Sequence, residues 1–182
     1  MPDNSRRRLH LGCGPITPLG WINCDIQPGP GVDLVADVRA GLPLPSDSLD
    51  CIVGIHVLPE IPFCDQLKTL SELRRLLRPG GVLRLGLPDM DLAIQAYRTG
   101  DVDYFLIGDE VTQSLAGKMI VQLTWYGRSR CMFTWDFTRE LLTRAGFGKV
   151  TRCAYQQSSY GDPLLTQLDD RPLESLFVEA VK

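Results

Sequence analysis

The sequence predicts an α/β fold, a mostly parallel sheet wrapped on both faces. Three observations carry that expectation. Short apolar runs alternate with segments whose leucines recur every three or four residues, as strands feeding crossover helices do. The first run, Leu9-His10-Leu11, enters Gly12-Cys13-Gly14, and an acid, Asp25, closes the second. A chain of 182 residues with 44% hydrophobic and 23% charged content suits a single globular domain, able to bury roughly 70% of its unfolded surface.

Residues 8–11 and 21–25 read as the first two strands. Pro15 and Pro18 fall between them, and each proline inside a helix costs ~3 kcal/mol. The first crossover is therefore expected to be a loop or a single turn. Residues 33–36 make a short third strand, and residues 51–57 a fourth, bounded by Asp47 and Ser48 before it and Pro59 after it. A helix starts at Asp65, with Leu67, Leu70, Leu73 and Leu77 on one face. It ends at Arg78-Pro79-Gly80-Gly81, where basic residues meet the helix C-terminus and glycine supplies the stop. Residues 82–87 are the fifth strand, after which Asp89 caps a helix running through about Arg98. Residues 100–134 break the rhythm and are expected to form a lid with its own helix around 112–123, bearing Trp125-Tyr126 and leading into Phe133-Thr134-Trp135, since so long a connector is usually functional. A helix over 136–145, stopped by Gly146, precedes strands at 149–155 and 175–181, joined by a polar, proline-bearing excursion.

Bulk properties exclude several classes. A net charge of −3 offers no broad basic field for nucleic acid. The cluster Arg6-Arg7-Arg8 reads as a solvated N-terminal arm, or as a contact to an anionic substrate. No apolar stretch approaches the ~20 residues of a membrane span, and glycines and prolines interrupt any signal-peptide core directly after Leu11. Six scattered cysteines without a Cys-x-x-Cys pair, beside two histidines, argue against a structural zinc site or disulfide framework and for a reduced cytoplasm. They read as buried small hydrophobes.

The glycine turn lets the backbone approach a ligand with no Cβ in the way. An acid at the tip of the second strand can accept both hydroxyls of a ribose. Together they predict a pocket for an adenosine-containing cofactor. A dinucleotide site would want a third glycine and a helix over the pyrophosphate. This chain instead has Thr17 at the third glycine's place and prolines where that helix would run. S-adenosylmethionine needs no phosphate cradle.

These residues resemble the class I S-adenosylmethionine-dependent methyltransferases over nearly the whole chain, and within them a small bacterial methyltransferase-type-11-like subgroup with a Gly-Trp-Ile-Asn-x-Asp segment. The likeness rests on Leu9–Gly14, on Asp25, on Ala36-Asp37, on the run from Leu42 to Asp50 and on Leu76-Leu77-Arg78-Pro79-Gly80-Gly81-Val82-Leu83. It implies one Rossmann-like three-layer domain over residues 1–182, with a seven-stranded sheet in the order 3-2-1-4-5-7-6 and the last strand antiparallel. It also implies S-adenosyl-L-methionine as cofactor, held by Leu11, Gly12, Cys13, Gly14, Asp25, Ile26, Asp37, Val38 and His56, with Asp25 on the ribose and Asp37 on the adenine. His10 stands where most members carry an acid, and Leu58-Pro59-Glu60 replaces the subgroup's Leu-Glu-His.

Methyl transfer is an in-line displacement at a carbon already activated by a sulfonium, so alignment supplies much of the rate. His56 and Asp89 are the catalytic candidates. His56, at the carboxyl end of the fourth strand where open parallel sheets bind ligands, serves either as a base on a hydroxyl or as a hydrogen-bonded wall of the cofactor pocket. Asp89 orients the acceptor, caps the following helix, or does both. His10 reads as structural. Trp125, Tyr126 and Trp135 stack on a sugar or a planar acceptor, or pack the lid against the core. No metal is expected. The partners expected are a small-molecule acceptor, a sugar or related hydroxyl, and a second copy in a homodimer. The alternative function is an S-adenosylmethionine-binding partner or regulatory protein without turnover.

Overall fold

The computed structural model describes residues 7–182, so Arg6 lies outside the described residues. Seven strands form one sheet: β1 (Arg8–Leu11), β2 (Ile22–Asp25), β3 (Leu34–Val35), β4 (Leu49–Ile55), β5 (Leu77–Pro88), β6 (Val150–Cys153) and β7 (Ser175–Val181). Their spatial order is β3-β2-β1-β4-β5-β7-β6. The first five run parallel, while β7 is antiparallel to both β5 and β6. This is the Rossmann-like arrangement expected from the sequence. The helices are α1 (Phe63–Leu76), α2 (Met90–Thr99), α3 (Leu115–Thr124) and α4 (Trp135–Arg144).

Side chains alternate across the pleat, and the two faces are covered differently. Leu9, Leu11, Ile52, Leu83, Leu85, Val178 and Ala180 join the main core, together with Leu70 and Leu73 of α1 and Leu141 and Leu142 of α4. The opposite face carries Cys51, Val53 and Val82, covered by Trp21 from the first crossover and by Leu165 and Leu168 from the excursion before β7. No regular helix runs between Gly14 and Gly20, as the two prolines require. The layer over that part of the sheet is thus built largely from loops.

The α1–β5 junction departs from expectation. The helix stops at Leu76, and Leu77 is already extended, with ψ 138, and pairs with Leu49. The glycines therefore do not end the helix. Pro79 disfavours α geometry at Arg78, and β5 bulges over Arg78–Gly81 before pairing resumes at Val82 opposite Cys51. Gly81 is needed there because a Cβ would lie 2.9 Å from the Arg78 carbonyl oxygen and 3.2 Å from that of Asp50.

Arg8 also differs from the solvated arm expected of it. It forms the first residue of β1 and is buried, because its neighbour β4 pairs with it at Cys51. A buried ionic network lies on the loop-covered face. Arg84 of β5 sits opposite Glu179 of β7 and donates to it at 2.8 Å. Arg84 also makes a two-pronged contact with Asp169, at 2.7 and 2.5 Å. All three side chains are sealed from solvent. The Gln156 and Ser159 amides donate to Asp169 and Glu179, and Arg84 reaches the Gln157 carbonyl. The cluster therefore fastens the excursion between β6 and β7 to the sheet.

Residues 100–134 hold α3, which is capped by Ser114 and packed near α2 through Phe105, Leu115 and Met119. Lys118 is buried there, donating to the Ile107 carbonyl and pairing with Asp109. The segment's far end is tied to the 58–60 turn, where the Arg130 and Cys131 amides both donate to the Pro59 carbonyl.

Candidate active site

A cavity of about 700 Å³ opens at the carboxyl edge of β1, β2 and β4, within the ~300–1,000 Å³ range of small-molecule sites. Leu11, Gly12, Cys13, Gly14, Asp25, Ile26, Asp37, Val38 and His56 all line it. They come from four separate stretches of chain, gathered because parallel strands end together on one edge. Asp89 does not line it.

The glycine turn is shaped by what it touches. Gly12 has φ +63 and sits where a Cβ would collide with the Val57 side chain, so only glycine fits. The Asp25 carboxylate bridges this turn to the end of β2, accepting from the Gly14 and Gln27 amides, each at 2.9 Å. A carboxylate has about four lone-pair positions, so acceptor capacity remains toward the cavity. Asp37 caps the short 3-10 turn Val38–Ala40 through the Arg39 amide and accepts the Arg39 guanidinium at 2.6–2.9 Å. That hydrogen bonding holds its carboxyl below the usual carboxylate range. His10 also lines the cavity. It is buried, and its Nδ1 has no hydrogen-bond partner among the described residues; burial pushes its imidazole below the ordinary value.

His56 is engaged at both nitrogens. Arg171 Nη1 lies 3.0 Å from Nδ1, and a guanidinium can only donate. Nδ1 must therefore be the acceptor, and Nε2 carries the proton donated to Ser175 Oγ at 2.8 Å. Burial first, and then the Arg171 charge, press the imidazole down to about 3. In this arrangement His56 is a neutral, oriented wall whose free lone pair is already taken, and the geometry offers no proton-accepting nitrogen.

Asp89 is likewise committed elsewhere. It is 2% exposed, caps α2 by accepting from the Asp91 and Leu92 amides, and pairs with Arg152 at 2.9 Å. Both oxygens are used, and the helix N-terminus explains why an acid stands there.

The rest of the cavity comes from residues that sequence patterns did not single out. Gln122, Arg128, Ser129 and Arg130 join Trp125 from the 100–134 segment, and Asp170, Arg171 and Glu174 arrive from the excursion before β7. The Arg171 guanidinium stands 5.5 Å over the Trp125 ring, linking the two segments across the cavity mouth. Among the aromatics expected to stack on an acceptor, Trp125 lines the cavity, Tyr126 is 62% exposed and Trp135 packs on the main core. No two of the cysteines are joined in a disulfide; burial pushes the Cys24 thiol up to about 12, as suits a small apolar filler. Among the described residues there is no group of metal-binding side chains, and no helix is long and apolar enough to cross a membrane.

The family described as "Methyltransferase domain" matches residues 21–85. A demethylmenaquinone methyltransferase of Lysinibacillus sphaericus is 28% identical over 131 residues, covering 71% of this chain and 55% of that protein. An S-adenosylmethionine-dependent methyltransferase structure from Mesorhizobium loti superposes with a TM-score of 0.57 at 18% identity, over 100% of this chain and 94% of that one. Another from Thermotoga maritima gives 0.57 at 16% identity, over 97% and 82%. Residues 21–85 thus match a methyltransferase domain family, and the whole chain has the fold of S-adenosylmethionine-dependent methyltransferase structures.

The cavity suits S-adenosylmethionine, the cofactor expected from the sequence. A glycine turn that admits no Cβ, an acid at the tip of β2 and an orphaned buried imidazole nitrogen on β1 offer close approach and polar partners. The chain spans 55% of the length of the Lysinibacillus sphaericus protein and 23% to 30% of other curated relatives it matches.

Proposed function

We propose that this chain transfers a methyl group from S-adenosylmethionine to a hydroxyl of a small acceptor, a sugar or related metabolite. The observation that carries the reading is the convergence on one cavity of the nine residues expected to hold the cofactor. In this reading the Leu11–Gly14 turn receives the methionine portion, Asp25 and Ile26 the ribose, and Asp37 and Val38 the adenine. When bound, the cofactor supplies an electrophilic methyl on a positively charged sulfur. The chain's residues supply alignment and exclude water.

The acceptor side is formed by residues 100–134 and the excursion before β7, acting as a cover on a single domain. Trp125 offers an apolar face, with the polar ends of Gln122, Ser129, Arg128 and Arg130 around it. An aromatic face ringed by hydrogen-bonding groups suits a polyhydroxyl acceptor. His56 orients and closes the floor between cofactor and acceptor as a neutral imidazole, and Asp89 serves the site by fixing α2.

Calorimetry with S-adenosylhomocysteine and label transfer from S-adenosyl-[methyl-³H]methionine to a panel of monosaccharides and small phenols test this. Micromolar binding with labelled product is expected. Binding without transfer to any acceptor would replace the reading with that of a cofactor-binding partner protein. NADH binding in place of S-adenosylhomocysteine would overturn both.

A further inference from the structure

With His56 held by Arg171 and Asp89 spent on α2, the cavity's remaining buried acid stands out. Glu174, at the entry to β7, is 6% exposed and lines the cavity. Its backbone is fixed, since its carbonyl accepts from the Asp89 amide at 2.8 Å and its own amide bonds to the Arg171 carbonyl. Its carboxylate makes no hydrogen bond or ion pair with any described residue, although burying a carboxylate without a partner is costly. Such a group is satisfied only by something that enters the cavity.

Its position matches the acceptor end. The next residue, Ser175, holds His56 Nε2, and the preceding turn delivers Arg171 to Trp125 and His56. The charged and titratable groups around Glu174 are Arg171 and Asp170 from its own loop, Tyr104 from the 100–134 segment, Asp89 at the end of β5 and His56 at the end of β4. Burial raises the Glu174 carboxyl above the usual range, Arg171 opposes that and Asp170 adds to it. Asp170 is less suited to a role in the cavity, because its Oδ1 is shut away from solvent and lies 3.8 Å from Arg171 Nε.

We propose that Glu174 accepts the proton of the acceptor's hydroxyl during methyl transfer. The assignment rests on the proposed activity. The hydroxyl oxygen forms a bond to the methyl carbon, the carbon–sulfur bond breaks with its electron pair going to sulfur, and the oxygen's proton passes to the Glu174 carboxylate. The carboxyl then releases it to solvent, restoring the starting state. No oxidant or metal is needed for this balance.

The test uses the full chain, labelled S-adenosylmethionine and the same panel of monosaccharides and phenols, with S-adenosylhomocysteine affinity measured alongside. Glu174→Gln should keep that affinity within about twofold of the parent and slow transfer by about 10²–10⁴-fold, the range of a lost general base. The parent's rate should fall on the acid side with a single titration that Glu174→Gln lacks, and Glu174→Asp should recover part of the rate with its acid limb. A Glu174→Gln rate within threefold of the parent with an unchanged pH profile overturns the assignment. So does a parallel loss of S-adenosylhomocysteine affinity in both variants, which would make the carboxylate a support of the cofactor or the fold. A parent that binds S-adenosylhomocysteine and labels no acceptor removes the proposed activity, and this assignment falls with it.

Discussion

The Arg171 guanidinium donates to Nδ1 of His56 at 3.0 Å across 115 positions of sequence. This contact decides which tautomer the imidazole adopts and, second to burial, keeps it uncharged. Arg171 itself is in the left-handed region, at φ +53, an uncommon backbone state for a side chain of this size. The turn that carries it is secured by the buried cluster of Arg84, Asp169 and Glu179. Cavity electrostatics thus depend on a loop anchored from beneath the sheet.

Replacing Arg171 should release His56. In Arg171→Gln the imidazole loses a nearby positive charge, and its titration midpoint should rise from about 3 toward 6.5. Proton-detected titration of the histidine ring signals measures this. The linkage has a sign: a histidine with a folded value below its unfolded one stabilises the fold above pH 6.5, and that contribution disappears as pH falls toward the folded value. The parent should therefore lose more stability than Arg171→Gln between pH 6.5 and 4, and equal losses would refute the contact's electrostatic role.

Asp25→Ala should weaken S-adenosylhomocysteine binding by about 2–3 kcal/mol, in the range for hydrogen bonds to a charged acceptor. Part of that loss reflects the Gly14 and Gln27 amides, which lose their shared acceptor. Isothermal calorimetry on both proteins decides it, and equal affinities would take Asp25 out of the site.

Arg84→Met should destabilise the chain by about 3–5 kcal/mol, because it strands two buried carboxylates without a counter-charge. Urea unfolding at pH 7 reads the change. Replacing all three charges at once with apolar residues of similar volume should cost much less than the single change. A single substitution costing under 1 kcal/mol would mean that water reaches the cluster.

Residues 100–134 should exchange amide hydrogens faster than β4 and β5, since covers belong to the less protected part of a fold. The exchange should slow when S-adenosylhomocysteine and an acceptor are both bound. The tie to the Pro59 carbonyl and the buried Lys118 predict hinges on either side of α3 rather than loss of the helix. Protection equal to that of the central strands, and unchanged by ligands, would make the segment fixed core.

Much of the frame was legible because local chemistry wrote it. Alternating apolar runs mark strands whatever their partners, two prolines bar a helix from the first crossover, and a glycine turn ahead of an acid marks one wall of the cavity. The helix ends at Leu76 rather than at the glycines after it, because Gly81 serves a close approach between β4 and β5, a need invisible before the strands are paired. Beyond that frame, the cavity's other wall took the tertiary structure to appear. Glu174 meets the cavity, Arg171 meets His56, and Arg84 meets Asp169 across 85 positions. No periodicity or spacing marks such pairs, since their energies exist only once the sheet has brought distant segments into one low-dielectric place. The sequence by itself determined the sheet and the edge of it where the glycine turn and Asp25 meet one cavity. Tertiary structure decided which charges are buried together, and so which residues remain free to act.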